Sequence, residues 1–218
     1  MKIGEVEDRR GGSSALPLGI TLPEVAKKKR ATGIVGLNLL LDGGFPEGAV
    51  IMVYGTAITG VDLAAMQFYK AGPEEEGTYL KVDDIINHEK DDTSGIRPEI
   101  FLMQLAGTRI VVDSFTGVIE RYGSNDALRL VRLLKEDVQK TGADVMFIVF
   151  SGVHTPMEMT KLMRESDVVI EFRLETSQAE LQRTLAVQKI RDAMAPSRLL
   201  PFIITEKGIE ASTTSRVV

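Results

Sequence analysis

The stretch AVIMVYGTAITGVDLAAMQFYKAG, Ala49 to Gly72, decides the fold of this chain. It opens on a continuous apolar run, Ala49 to Tyr54, rich in Val and Ile and without alternation. A strand buried on both faces, as in a parallel sheet, has this pattern. Gly55, four residues and Gly60 follow. VDLAAMQFYK then places apolar residues at helical spacing, and Gly72 before Pro73 predicts the end of the helix. Strand, glycine-bounded turn and helix together form the frame of a phosphate-binding loop. In such a loop backbone N–H groups wrap the phosphates and the helix N-terminus adds its positive end. A lysine reaching the phosphates and a Ser or Thr holding magnesium complete it. In this chain those two positions are Val61 and Asp62.

The change is large in energy. A unit charge about 4 Å from a phosphate charge, at an effective dielectric of about 20, is worth about 4 kcal/mol. Losing it weakens binding about a thousandfold, and the Asp62 carboxylate adds repulsion unless a metal bridges it. The candidate phosphate loop, Gly55, Thr56, Ala57, Ile58, Thr59, Gly60, Val61 and Asp62, is expected to keep its frame without the ordinary Mg-ATP chemistry. On these residues alone, a strand–turn–helix that never bound a ligand stays open.

The same alternation continues outward. TYLKV (78–82), RIVVD (109–113) and DVMFIVF (144–150) are short apolar runs separated by helical patterns. SNDALRLVRLLKEDVQKTG (124–142) places Leu128, Val131, Leu134 and Val138 on one stripe. Ser124 or Asn125 is its expected cap and Gly142 its end. TPMEMTKLMRESD (155–167) is a second amphipathic helix, whose methionines suit a core. Strands alternating with helices predict right-handed crossovers and a mainly parallel α/β sheet with helices on both faces. Ligands of such sheets sit at the carboxyl ends of the strands. After residue 167 the pattern changes. DVVIEFRLE, RTLAVQKI, LPFIITE and GIEAS read as strands joined by hairpins, extending the sheet at one edge.

Composition bounds the function classes. The chain has 218 residues, 44% hydrophobic, enough for one sizeable core. It has no cysteine, hence no disulfide framework and no thiolate metal site. His88 and His154 stand apart without metal-ligand spacing. No apolar run approaches the length of a membrane span, and MKIGEVEDRR is no secretory signal, so a cytoplasmic protein is expected. The net charge of −5 argues against nucleic-acid binding by the whole surface. Residues 1–30 are locally basic, with Lys2, Arg9, Arg10, Lys27, Lys28, Lys29 and Arg30 against Glu5, Glu7, Asp8 and Glu24. GGSSALPLG within them reads as flexible. A basic arm over 1–30 and a core domain over 31–218 are therefore expected.

TGIVGLNLLLDGGFPEGAVIMVYG (32–55) resembles the entry segment of the KaiC-like branch of the RecA-superfamily ATPases, with Asn38 in place of the usual Asp. RIVVDS resembles the Walker B strand. ESDVVIEF and LAVQKIRDAMAPSRLLPFIITEKGIEAS resemble the C-terminal strands, and the similarity runs in order over roughly 32–212. The resemblance implies a RecA-like fold and a degenerate member with a broken Walker A motif. It places the family's acidic residues at Asp83, Asp84 and Asp113. It matches Lys189 and Arg191 to the K-x-R that reaches a neighbour's phosphates in trans, as an arginine finger does. It also implies a homo-oligomer.

Three functions follow as expectations. The first is an inactive or strongly impaired ATPase-fold protein that regulates or scaffolds through protein contacts, with an active ATPase paralogue or a peptide as partner. No cofactor is expected in that case. The second is an atypical nucleotide-binding ATPase, with Asp62 on a metal and Lys70 or Lys81 replacing the lost lysine. The third is a nucleic-acid accessory module working through the basic arm. No membrane partner is expected.

Overall fold

The computed structural model describes residues 28–72, 77–82, 105–177 and 180–211. Most of the basic arm, Asp83, Asp84 and His88 lie outside the described residues.

An eight-stranded sheet forms the centre, in the order β10-β9-β8-β7-β3-β6-β5-β4. Its parallel part comprises β3 (Val50–Gly55), β4 (Gly77–Lys81), β5 (Arg109–Asp113), β6 (Asp144–Phe150) and β7 (Val168–Ser177). Every residue of β3 is buried, as its unbroken apolar run requires. Antiparallel β8 (Glu180–Ile190), β9 (Leu200–Thr205) and β10 (Gly208–Ala211) extend the sheet beyond β7, as the hairpin spacing predicts. A two-stranded ribbon pairs β1 (Lys29–Arg30) with β2 (Phe45–Pro46).

Helices cover both faces. On one face, α2 (Val61–Lys70) lays Val61, Ala64, Ala65 and Phe68 over Ile51, Val53, Val111, Met146 and Ile148. The short α1 (Val35–Leu40) adds Leu37 to this core. On the other face, α3 (Phe115–Thr141) and α4 (Pro156–Glu165) pack on Val50, Met52, Val145, Phe147 and Val149. The stripe Leu128, Val131, Leu134 and Val138 is buried there.

Three local readings need correction. Gly72 does not cap α2. The cap is Ala71, in the right-handed region, and Gly72 instead makes room for Arg109, whose Nε would lie 2.6 Å from an added Cβ. Helix α3 is two helical segments joined across a break at Gly123 (φ 82°, ψ 162°): the expected one runs from Ser124 to its end at Gly142, and an unexpected one precedes it from Phe115, where the Ser114 side chain accepts from the Gly117 N–H. The Ser124 side chain hydrogen-bonds Glu158 of α4. The basic run also enters the fold. Lys29 Nζ donates to the Leu41 carbonyl at 2.6 Å, and Arg30 Nε donates to the buried Asp144 at 2.9 Å.

Candidate functional site

The loop leaves the carboxyl end of β3 at Gly55, where ligands of open α/β sheets bind. Gly55 is required by crowding: an added Cβ would sit 2.5 Å from Thr59 Oγ1 and 2.8 Å from the Phe172 carbonyl. The loop then closes on itself. The Thr59 N–H and hydroxyl both donate to the Thr56 carbonyl, at 3.0 and 2.6 Å. Thr59 is buried, whereas Ile58 at the loop tip is 68% exposed. Gly60 turns the chain into α2 with φ 95°, which a side chain would strain.

Val61 and Asp62 diverge. Val61 is fully buried, facing the core beneath α2. It cannot stand in for a lysine, and its direction is inward. Asp62 is exposed in the first turn of α2. Its carboxylate lies close enough to Tyr79 on β4 to act on it electrostatically.

Tyr79 reaches the acid that the resemblance assigns to Walker B, with its hydroxyl donating to Asp113 Oδ2 at 2.8 Å. Burial, then the hydrogen bond to and the charge of Asp113, push this phenol well above the usual tyrosine range, and Asp62 adds to the push. Tyr79 therefore keeps its proton and holds one carboxylate oxygen of Asp113. Tyr69 of α2 supports the ring edge-to-face at 5.7 Å. Local pattern gives no sign of this pair, because its members are 34 residues apart and meet only when β4 joins β5. Lys81 pairs in register with Asp113 and so stands at the same end of the sheet. Lys70 is the last residue of α2, about 13 Å along the helix from Val61.

Beyond the loop, Glu171 accepts from Arg173 and Gln188, and it also bonds Tyr54 at the end of β3. Burial and the Glu171 charge push the Tyr54 phenol up to about 12. His154 meets the Thr116 hydroxyl at 3.1 Å, which also accepts from the Phe150 N–H. Among the described residues no group of three or more His, Asp or Glu comes together as a metal site. None of their helices is long and apolar enough to cross a membrane. Arg183 Nε and the Thr184 hydroxyl on β8 are buried without a hydrogen-bond partner among the described residues. Such atoms carry no signal in the sequence.

Lys189 and Arg191 lie at the end of β8 away from the loop, beside the start of β3. Lys189 Nζ donates to the carbonyls of Met163, Arg164 and Ser166, at 3.1, 2.9 and 2.6 Å. An ammonium has three donors, and all three are used. Arg191 donates to the carbonyls of Glu47 and Gly48 and pairs with Asp167 at 3.4 Å. Both residues fasten the chain to itself. A cleft of about 670 Å³ opens beside Arg191, lined by Leu40, Phe45, Pro46, Ile190 and Met194 among others.

The profile of the family described as "ATPase: KaiC" matches residues 96–215, more than half of the chain. The chain belongs to the KaiC-like family. The matched stretch takes in β5 through β10, and the loop at 55–62 lies before it. Over 84% of its length the chain is 25% identical to a UPF0273 protein of Thermotoga maritima, covering 95% of that protein. It is also 25% identical to the circadian clock oscillator protein KaiC of Parathermosynechococcus lividus, covering 83% of this chain and 42% of that one. A KaiC-like protein of Pyrococcus horikoshii OT3, with a solved crystal structure, superposes with a TM-score of 0.66 at 20% identity. That superposition covers 85% of this chain and 99% of the other. Its sheet, with antiparallel C-terminal strands, is thus the RecA-like sheet of the KaiC-like fold.

Proposed function

We propose that this KaiC-like chain is a subunit that does not hydrolyse ATP and acts through contacts with other protein chains. The observation that carries this reading is Val61. The position that brings a lysine to the phosphates holds a valine sealed in the core. Two further features support it. The Thr59 N–H is spent inside the loop, and Asp113, the acid that would orient magnesium, is held by the Tyr79 hydroxyl. Asp62 places a second negative charge on the same side. A regulatory or scaffolding role beside an active ATPase is what such a frame leaves.

The role does not depend on Lys189 and Arg191 as fingers in trans. Their hydrogen bonds favour a role in holding the fold, and a finger would have to leave these carbonyls first. The nucleic-acid reading likewise has fewer cations to draw on, because Lys29 and Arg30 are tied into the core.

Titration calorimetry with Mg-ATP at high protein concentration, paired with a phosphate-release assay, tests the proposal. No saturable heat in the low micromolar range and no turnover are expected. A low micromolar dissociation constant, or measurable hydrolysis, would sink it. One observation favours the atypical nucleotide mode: Lys81 stands in register with Asp113 at the ligand end of the sheet. Nucleotide carried through purification and identified by mass spectrometry would choose that second reading.

A further inference from the structure

On the face of the sheet opposite α2, helices α3 and α4 leave a groove of about 430 Å³ between them. It is lined by Asn125, Leu128 and Arg132 of α3 and by Lys161, Arg164 and Glu165 of α4. The helical periods make this arrangement. Asn125, Leu128 and Arg132 recur at i, i+3 and i+7 along one face, and Lys161 and Arg164 at i and i+3. Three of the four ionic groups are cations, on a chain whose net charge is −5.

The acids along this seam are already committed. Glu165 Oε1 accepts from Arg132 Nε and Nη2, at 2.9 and 2.7 Å. Asp167 below it takes Lys135 at 2.9 Å and Arg191 at 3.4 Å. Glu158 is spent on the Thr155 cap. Lys161 and Arg164 are exposed, and among the described residues neither side chain has an acidic partner. Nearby, burial first and then the like charge of Lys135 hold Lys189 below the usual lysine range, with Asp167 and Glu165 acting against them.

We propose that the α3–α4 groove is a binding site for a compact phosphorylated polyanion, a molecule carrying two or three linked phosphates. Lys161 and Arg164 supply charge without giving up an existing pair, and Asn125 supplies an amide donor. Arg132 keeps donors beyond the two that Glu165 takes. Leu128 is the one apolar residue of the lining. An acidic peptide would need more apolar anchorage than that, so the lining favours a small ligand that is nearly all charge. The site lies across the sheet from the loop at 55–62, so its test stands or falls apart from the ATP reading.

Inorganic tripolyphosphate is the probe, because it has no base or sugar to confuse the reading. Calorimetric titration of the full chain at low salt is expected to show saturable binding, weakening as salt is added. The double substitution Lys161→Gln/Arg164→Gln removes two exposed cations and is expected to weaken binding at least tenfold. The control Lys140→Gln, at the far end of α3, is expected to leave it within twofold. In the unsubstituted chain, the side-chain amide of Asn125 and the methyls of Leu128 are expected to shift in NMR spectra on titration. Unchanged affinity in the double variant overturns the proposal, since the probe then binds elsewhere, the loop included. Absence of saturable binding overturns it too, as does an equal loss with Lys140→Gln or an unmoved Asn125 and Leu128.

Discussion

At the scale of single residues, the site turns on Val61, Asp62 and Tyr79. Val61 also explains why repair by substitution is not simple. Val61→Lys would put an ammonium where a fully buried methyl pair now packs, and burying an unpaired charge is costly. The double change Val61→Lys/Asp62→Thr is therefore expected to lower the melting temperature without nucleotide; an unchanged melt would show that the loop opens freely. Tyr79 makes a second prediction. A hydrogen bond to a charged partner is worth about 1.5–3 kcal/mol, so Tyr79→Phe is expected to cost about that much in urea denaturation. The same residue can be followed by titration. A phenol whose folded-state pKa is raised stabilises the fold fully below the ordinary tyrosine range, and that contribution is lost as pH rises through the folded value. Of the chain's four tyrosines, Tyr79 and Tyr54 are expected to ionise late in ultraviolet absorbance, and Tyr79→Phe should remove one of the late pair.

Between residues and the whole stand the elements, where the sequence is most and least readable. The buried run Val50–Gly55, the helix at Val61–Lys70 and the C-terminal hairpins are set by local periodicity, which survives in one dimension. The helical segment from Phe115 up to Gly123 is not, because the apolar stripe that marks a helix begins only at Leu128. The resemblance casts Lys189 of the K-x-R motif as a finger, yet what it meets is decided by where α4 ends, 24 residues earlier. Its ammonium satisfies carbonyls at the C-terminus of α4, where the helix dipole also favours a cation. Lys189→Met keeps the apolar stem and removes those bonds. It is expected to cost the isolated chain about 1–3 kcal/mol in chemical denaturation. A residue serving only a neighbour's phosphates would leave the isolated chain's stability unmoved. At the other end of α4, Thr155 and Glu158 form a reciprocal cap, and Thr155→Ala is expected to cost about 1 kcal/mol.

For the molecule as a whole, the tie between Arg30 and Asp144 carries the most information. It spans 114 residues and joins the ribbon of β1 and β2 to the start of β6, with Arg30 also donating to the Gly142 carbonyl that ends α3. Asp144 is fully buried and accepts from the Ala49 N–H at the head of β3. Burial outweighs these partners and pushes its carboxyl up to about 6. Removing one member of a buried pair costs about 3–5 kcal/mol, so Arg30→Ala is expected to destabilise the whole domain by that order in a single cooperative transition. The pH dependence has a definite sign. A raised folded-state pKa means that folding takes up a proton between the ordinary carboxylate range and pH 6. Asp144 therefore contributes stability below about pH 4 that is lost as pH rises through 6, by roughly 1.4 kcal/mol for each pH unit separating the folded and unfolded values. Asp144→Asn mimics the protonated form and has no such slope. Urea denaturation of both proteins from pH 4 to pH 7 is expected to show the difference moving in favour of Asp144→Asn as pH rises. A difference constant over that range, or one moving the other way, would mean that Arg30 and the Ala49 amide, rather than burial, govern this carboxylate.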